Sequence, residues 1–358
     1  MKIVSIVGAR PQFIKAAVVS RELRKYHKEI LVHTGQHFDY NMSEVFFEEL
    51  EIPHPDYNLG VSGGTHGEMT GRMIIEIERV LMKEKPDAVL LYGDTNSTLS
   101  GAIATVKLHI PIIHVEAGSR VGSLDNPEEV NTIVTDNLSK LLFCCTTPDK
   151  EQLKKEGITD NVFLVGDPMY DAFLYYSQKS DKLSEEIKDL TGKTVEIPDK
   201  FYYMTCHRPE NTDDSTKVVE ILEAMNGLEY KTIYPVHPRN REKIIRFSNE
   251  YNNIIFCNPV SYLSSIHFVK NAEKIVTDSG GLQREAFFAE KQCVTIFDRV
   301  MWKETMIDNR NNLSKANKDE ILKKLNLPMH INENYKPFGE GDASVKIVNI
   351  INDYNSLV

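Results

Sequence analysis

The chain has few cysteines, no excess of basic residues and no long apolar run. Its five cysteines show no CxxC spacing, so nothing requires a zinc site or a disulfide framework. The 42 basic and 52 acidic residues give a formal charge of −10, which argues against broad binding to nucleic acids or acidic membranes. The strand-like stretch at 2–7 is too short for a signal sequence or a membrane span, and we expect a cytoplasmic protein.

What the chain does contain is a regular alternation of short apolar runs and longer amphipathic segments. The apolar runs lie near 2–7, 29–33, 87–92, 111–115, 141–144 and 161–165, and again near 201–205, 231–235, 253–257, 273–277 and 292–296. This alternation predicts an α/β fold with parallel sheets, whose ligands bind outside the carboxyl ends of the strands. A chain of 358 residues favours two domains. We place one at 1–168, with a last helix at 342–358 crossing back onto it, and the other at 169–341.

The most informative turn lies in the stretch IVTDSGGLQREA at 275–286. Gly280 and Gly281 allow a ligand to approach the backbone closely, and the first N–H groups of the following helix are free to bind an anion. Glu285 falls within the first two helical turns, where a carboxylate would reach the hydroxyls of a phosphate-bearing ligand. This pattern favours a nucleotide-linked sugar. The alternative is an ordinary strand-to-helix connection with glycines for tight packing.

Two cations follow the first strand. Arg10 and Lys15 bracket a helix start in the stretch GARPQFIK, with Pro11 near the first helical position. This arrangement would hold a diphosphate through charge-assisted hydrogen bonds. The alternative is a pair of solvated side chains at a helix end.

Acidic residues follow neighbouring strands of the same half. Asp94 and Glu116 each interrupt small or apolar sequence just past a predicted buried strand, where an unpaired charge without a function would destabilise the fold. Glu128 or Glu129 opens a helix shortly afterwards, although acids at helix starts are often only partners of the helix dipole. Several acids in one cleft allow one to be ionised and another protonated, as proton abstraction and return require.

Two strands in the second half end in a histidine and an arginine. His207 follows the strand at 201–205, and His237 follows the strand at 231–235. A histidine in this position is more often structural than catalytic. Together with the Ser279 turn on an adjoining strand end, however, the two clusters predict a phosphate-binding rim facing the acids of the first domain.

Eight motifs follow one another along the chain: GARPQFIK at 8–15, TGQHFD at 34–39, YGDTNST at 92–98, HVEAGSR at 114–120, PEE at 127–129, HRPEN at 207–211, YPVHPR at 234–239 and TDSGGLQREA at 277–286. As a set they resemble the non-hydrolysing UDP-N-acetylglucosamine 2-epimerases over nearly the whole chain. GGTHGEMTGRM at 63–73, the short loop before PEE and PFGEGDAS at 337–344 most resemble the branch acting on UDP-2,3-diacetamido-2,3-dideoxyglucuronate.

The resemblance implies two Rossmann-like domains of the glycosyltransferase-B type, with the active site in the interdomain cleft. It implies a homodimer that acts on a UDP-sugar without a metal or nicotinamide, in surface polysaccharide synthesis. The family reaction expels UDP from C1 while the C2 proton is removed, and then adds UDP back to the 2-acetamidoglycal.

The resemblance also assigns roles by motif. Asp94, Glu116 and Glu128 would form the acid/base group, and His207 would contact the diphosphate during catalysis. The residues expected to hold UDP and its charge are Arg10, Lys15, His237, Ser279, Gly280, Gly281 and Glu285.

Several positions depart from the family pattern. Thr132 and Phe297 each stand where the family has Arg, and Val300 and Met301 replace Thr-Glu. Pro209 replaces a second Arg that many members use for allosteric binding, so we do not expect that regulation here. An active enzyme with altered substrate contacts is favoured. The alternatives are a glycosyltransferase, a hydrolysing epimerase and a catalytically altered UDP-sugar-binding protein, and the sequence does not identify the sugar.

Overall fold

The computed structural model describes residues 1–36, 47–180 and 186–355. It divides into two compact units, one of Met1–Leu174 with Lys336–Val358 and the other of Tyr175–Tyr335. Residues 37–39 of the TGQHFD motif lie outside the described residues. Within the described ranges, no helix combines the length and the apolar character needed to cross a bilayer.

The first unit is built on a seven-stranded parallel sheet of order β3-β2-β1-β4-β5-β6-β7. Its strands are β1 (Lys2–Val7), β2 (Lys28–His33), β3 (Tyr57–Asn58), β4 (Ala88–Tyr92), β5 (Ile112–Val115), β6 (Leu141–Cys144) and β7 (Val162–Leu164). Its helices are α1 (Arg10–Leu23), α2 (His66–Glu84), α3 (Asn96–Lys107), α4 (Pro127–Leu138), α5 (Thr147–Lys155), the first part of α6 (Pro168–Ser180) and α13 (Ala343–Asn355).

The central strands of this sheet are covered on both faces. Every residue of β4 and of β5 is buried, as expected for parallel strands with helices on either side. One hydrophobic cluster joins Val4 and Ile6 of β1 to Met73 and Ile77 of α2. The last helix returns to this unit, where the buried Asp171 of α6 accepts hydrogen bonds from the first N–H groups of α13.

The second unit is built on a six-stranded parallel sheet of order β12-β11-β10-β13-β14-β15. These strands are β10 (Phe201–Thr205), β11 (Lys231–Pro235), β12 (Ile254–Cys257), β13 (Lys274–Thr277), β14 (Gln292–Ile296) and β15 (Asn311–Ser314), and a small antiparallel pair comprises β8 (Ile187–Lys188) and β9 (Thr194–Val195). The helices are α7 (Pro209–Thr212), α8 (Ser215–Asn226), α9 (Arg241–Phe247), α10 (Tyr262–Asn271), α11 (Gly280–Phe288) and α12 (Lys318–Leu325), with 3₁₀ turns at Pro238–Asn240, Ser248–Glu250 and Lys303–Asn309.

Both sheets have the strand order of a Rossmann fold, in which the direction of winding reverses beside the first strand. The reversal lies between β1 and β4 in the first unit and between β10 and β13 in the second. Loops after these strands diverge and leave a crevice for ligands. The motifs at 8–15, 92–98, 207–211 and 277–286 all follow these four strands.

The structure adds strands that the apolar pattern did not predict. β15 reads Asn-Asn-Leu-Ser, and β3 is only two residues long, so neither presents an apolar run. Both lie at sheet edges, where fewer side chains need to be apolar.

Candidate active site

The turn after β1 is tied to the turn after β4 by one buried side chain. The side-chain Oε1 of Gln12 accepts hydrogen bonds from the backbone N–H groups of Gly8 and Ala9, at 2.8 and 3.0 Å. Its side-chain Nε2 donates to the backbone carbonyl oxygen of Tyr92 at 2.7 Å and to the hydroxyl of Thr98 at 2.9 Å. Gln12 therefore holds the segment carrying Arg10 and Lys15 against the segment carrying Asp94.

Lys15 and Glu116 form a buried ion pair across this crevice. Each charge compensates the other where water is largely excluded. A side chain at Gly93 would put its Cβ 3.1 Å from Glu116 Oε2 and 3.6 Å from Lys15 Nζ, so the glycine makes room for the pair. The structure thus brings Lys15 directly to one of the predicted catalytic acids.

Glu116 has an unusual backbone conformation. Its φ of 73° lies in the left-handed region, which costs a residue with a side chain about 1–3 kcal/mol. The N–H groups of Glu116 and Ala117 both donate to the carbonyl oxygen of Phe143, at 3.0 Å each, and this holds the turn in place. Strain of this kind concentrates at functional sites.

Asp94 is exposed directly after Gly93, and its carbonyl oxygen accepts a 2.8 Å hydrogen bond from the Asn131 side chain on α4. Glu128 is exposed in the first turn of the same helix. The neighbouring Glu129 is buried and accepts from the N–H groups of Val121 and Gly122, at 2.6 and 3.1 Å. Of these two glutamates, Glu129 anchors the preceding loop and Glu128 faces solvent.

In the second unit, Asp278 joins the turns after β10 and β13. Its carboxylate accepts from the backbone N–H groups of His207 and Arg208 at 2.9 and 2.8 Å, and lies 3.0 Å from His207 Nδ1. Burial alone would raise the pKa of Asp278, but the hydrogen bond and charge of His207, with these backbone donors, hold that pKa below its ordinary value. Asp278 therefore fixes His207, whose side chain remains 41% exposed.

The Ser279 turn opens α11, with Gly280 and Gly281 as its first two residues. The hydroxyl of Ser279 caps the helix by accepting from Leu282 N at 3.3 Å. Glu285 is buried in the second turn of the helix. The exposed His237 ring stacks beside that of His207, with centroids 5.9 Å apart.

The segment that departs from the family pattern contacts this turn. The guanidinium of Arg208 lies 4.3 Å from the ring centroid of Phe297 and donates to Met301 Sδ at 3.3 Å. Its Nε donates to the carbonyl oxygen of Asp278 at 2.7 Å. A Cβ on Gly280 would lie 3.2 Å from Met301 Sδ. Phe297 and Met301 therefore border the predicted UDP site, while Val300 is partly buried nearby in sequence.

Some residues that organise these turns were not predicted. Asp278 has the clearest sequence signal of these residues, because it follows a buried strand as Asp94 and Glu116 do. Gln12 and Asn131 carry no charge, and their partners lie 80 and 37 residues away in sequence. Among the residues that the structure describes, no group of three or more His, Cys, Asp or Glu side chains is placed to hold a metal ion.

Comparison with known proteins identifies the family. The family model described as UDP-N-acetylglucosamine 2-epimerase matches residues 21–352. The chain belongs to the UDP-N-acetylglucosamine 2-epimerase family. Similar relatives include a UDP-N-acetylglucosamine 2-epimerase homolog of Methanococcus maripaludis, 46% identical over 98% of this chain and 99% of that protein. The UDP-2,3-diacetamido-2,3-dideoxy-D-glucuronate 2-epimerase of Pseudomonas aeruginosa is 44% identical over 97% of this chain and 98% of that protein.

A solved member of the epimerase family shares the fold. The crystal structure of Methanocaldococcus jannaschii UDP-GlcNAc 2-epimerase in complex with UDP-GlcNAc and UDP has a TM-score of 0.87 and 36% identity, covering 99% of this chain and 100% of that one. The predictions of the family, of an isomerase and of two Rossmann-like domains of the glycosyltransferase-B type are confirmed.

Proposed function

We propose that this epimerase inverts C2 of a UDP-linked N-acetylated sugar by eliminating and re-adding UDP. The observation that supports the proposal is that the two units carry different kinds of functional group. The first unit carries acids on three neighbouring segments, and the second carries a helix N-terminus beside His207 and Arg208. Both groups would act on one substrate molecule.

The C2 proton of the sugar is not acidified by a carbonyl group, so direct abstraction would be slow. Removal of that proton while the C1–O bond to UDP breaks gives a 2-acetamidoglycal, and the electron pair of the C1–O bond leaves with UDP. Reprotonation of C2 on the other face, with attack of UDP oxygen on C1, completes the inversion. The acids serve the two proton transfers, and cations stabilise the departing diphosphate.

In this scheme Asp94, Glu116 and Glu128 exchange protons with C2 and with the leaving group. Lys15 compensates the charge of Glu116, which offsets the energetic cost of burying an ionised carboxylate. Arg10, near the first turn of α1, supports the leaving diphosphate together with His207.

The UDP moiety is proposed to bind at the start of α11. The N–H groups of this helix suit phosphate, and Glu285 suits the ribose hydroxyls. His237, stacked on His207, would border the same diphosphate. We also propose that the chain acts as a cytoplasmic homodimer.

Two sugars fit the proposal. A UDP-N-acetylglucosamine 2-epimerase of Methanocaldococcus jannaschii is 39% identical to this chain, whereas the Pseudomonas aeruginosa relative acts on a diacetamido-glucuronate at 44% identity. UDP-N-acetylglucosamine is the first candidate, and the diacetamido-glucuronate is the second.

The test is incubation of the protein with each UDP-sugar in D2O, followed by NMR. The proposal requires deuterium at C2 and formation of the C2 epimer still linked to UDP. Free sugar and UDP in stoichiometric amounts would identify a hydrolysing enzyme. Binding without deuterium incorporation from either sugar would refute the epimerase proposal.

A further inference from the structure

A fully buried histidine and aspartate link the three segments that carry the proposed catalytic acids. His114 of β5 and Asp136 of α4 each have a side chain that is 0% exposed. His114 Nδ1 lies 2.7 Å from Asp136 Oδ1, and His114 Nε2 lies 2.7 Å from the carbonyl oxygen of Gly93. Neither side chain has a role in the elimination mechanism.

The partners fix where the protons lie. A carbonyl oxygen only accepts hydrogen bonds, so Nε2 of His114 must carry the proton that it shares with Gly93. A second proton lies between Nδ1 and the Asp136 carboxyl, because two bare acceptors would not approach to 2.7 Å. Both ring nitrogens are then satisfied, and the orientation of the ring is set.

The second oxygen of Asp136 extends the link. Oδ2 accepts from the N–H of Gly118 at 3.1 Å and lies 2.7 Å from a terminal nitrogen of Arg120. Arg120 also pairs with Glu156 at 2.7 Å, which anchors the cluster to the end of α5. One carboxyl group thus holds both the β5 strand and the turn that follows it.

Each anchored point is a sequence neighbour of a proposed catalytic acid. Gly93 directly precedes Asp94, and Gly118 stands two residues after Glu116. Asp136 lies on the helix whose first turn contains Glu128. Gly93 and Gly118 have φ values of 62° and 86°, so both turns use backbone conformations that glycine adopts without the strain a side chain would add.

We propose that the His114–Asp136 pair is the positioning element that holds the three acid-bearing segments in register for proton transfer. The inference rests on the proposed function. Displacing a reacting group by about 1 Å can lower turnover by about 10²-fold. Removal of the pair should therefore lower kcat without weakening UDP binding, because the proposed UDP contacts lie largely in the other unit.

Two substitutions at Asp136 separate positioning from charge. Asp136→Ala removes the bonds to His114, Gly118 and Arg120, although the His114–Gly93 bond can remain, and it should lower kcat by about 100-fold, with KM and UDP affinity within about threefold of wild type. Asp136→Asn can keep the anchors, since its NH2 group donates to neutral His114 while its oxygen accepts from Gly118 and Arg120. The Asn variant should retain kcat within about fivefold. His114→Phe keeps the ring volume but removes both hydrogen bonds, and it serves if Asp136→Ala does not fold.

A matched control lies in the same unit. Glu29 is a buried carboxylate that accepts from Ser5 Oγ at 2.5 Å, Ser20 Oγ at 2.8 Å and Arg24 Nε at 2.7 Å. It contacts none of the acid-bearing segments in these bonds. Glu29→Ala should lower thermal stability, as Asp136→Ala should, but leave the kcat of the folded enzyme near the wild-type value.

The readouts are C2 deuteration kinetics, UDP titration and backbone NMR. Asp136→Ala and His114→Phe should shift the amide signals of Gly93, Asp94 and Glu116, whereas the Asn variant and the Glu29 control should not. This readout does not require turnover, so it stands apart from the epimerase proposal, which fails if the wild type does not deuterate C2. Three outcomes would overturn the positioning role. The amide signals could stay unshifted in Asp136→Ala, Glu29→Ala could lose as much kcat as Asp136→Ala, or Asp136→Asn could be as impaired as Asp136→Ala.

Discussion

Gly281→Ala should stabilise the protein while weakening UDP binding. Gly281 is the second residue of α11, and its φ is not positive, so an L residue can adopt the conformation. The nearest atom to an added Cβ is Ser279 Oγ at 3.6 Å, an ordinary van der Waals contact. Alanine is favoured over glycine in a helix by about 0.5–1 kcal/mol. The unfolding midpoint of the second unit should therefore rise slightly.

The binding effect follows from the proposed role of the same backbone. If the N–H groups at the start of α11 hold a phosphate, a methyl group beside them pushes the anion away. Loss of one hydrogen bond to a charged group costs about 1.5–3 kcal/mol, or about 10- to 150-fold in the Kd of UDP. Isothermal titration with UDP measures this loss, and a thermal melt measures stability.

A glycine in another helix gives the control. Gly71 of α2 has no atom within 4 Å of an added Cβ, so Gly71→Ala should gain helix stability in the same way. Its UDP affinity should equal that of the wild type. An unchanged Kd in Gly281→Ala, or an equal loss in Gly71→Ala, would show that the nucleotide does not bind at the start of α11.

Three further outcomes are expected. Glu285→Ala should raise the Kd of UDP, measured by titration, and should affect uridine binding as well because the ribose contact is lost. The pKa of Asp278 is lowered in the folded state, so the ionised carboxylate stabilises the fold above about pH 4, and this stabilisation is lost as the pH falls through the folded pKa. In thermal melts at decreasing pH, the difference in unfolding midpoint between the wild type and Asp278→Asn should therefore become smaller below about pH 4. Turnover, followed by C2 deuteration at unchanged UDP affinity, should fall about 100-fold or more in Asp94→Asn, Glu116→Gln and Glu128→Gln.

Much of the fold was predictable because parallel strands leave a clear signal. The buried strands β1, β4, β10 and β13 appear as apolar runs, and the motifs directly after them must share the carboxyl edge of their sheet. Local sequence therefore places these motifs without knowledge of any contact. Edge strands with polar sequences carry no such signal.

The contacts between the motifs were not predictable in the same way. Lys15 was expected to hold a diphosphate, and the structure pairs it with Glu116, 101 residues away. His114 opens the HVEAGSR motif, but nothing in the sequence links it to Asp136, 22 residues away. Such pairs depend on which strands become neighbours in the sheet and on which face each helix turns towards it. Both are set by the fold as a whole and not by the local sequence.

The changes at Phe297 and Met301 are best understood together. The family pattern places a cation at the first position and a carboxylate at the second, so the two neutral side chains remove one charge of each sign and leave the local balance unchanged. The guanidinium of Arg208 still has partners there, the Phe297 ring at 4.3 Å and Met301 Sδ at 3.3 Å. Its Nε donates to the Asp278 carbonyl oxygen, which holds the arginine beside the α11 turn. A paired replacement that leaves the net charge unchanged, beside an arginine with partners of its own, favours altered substrate contacts over loss of catalysis.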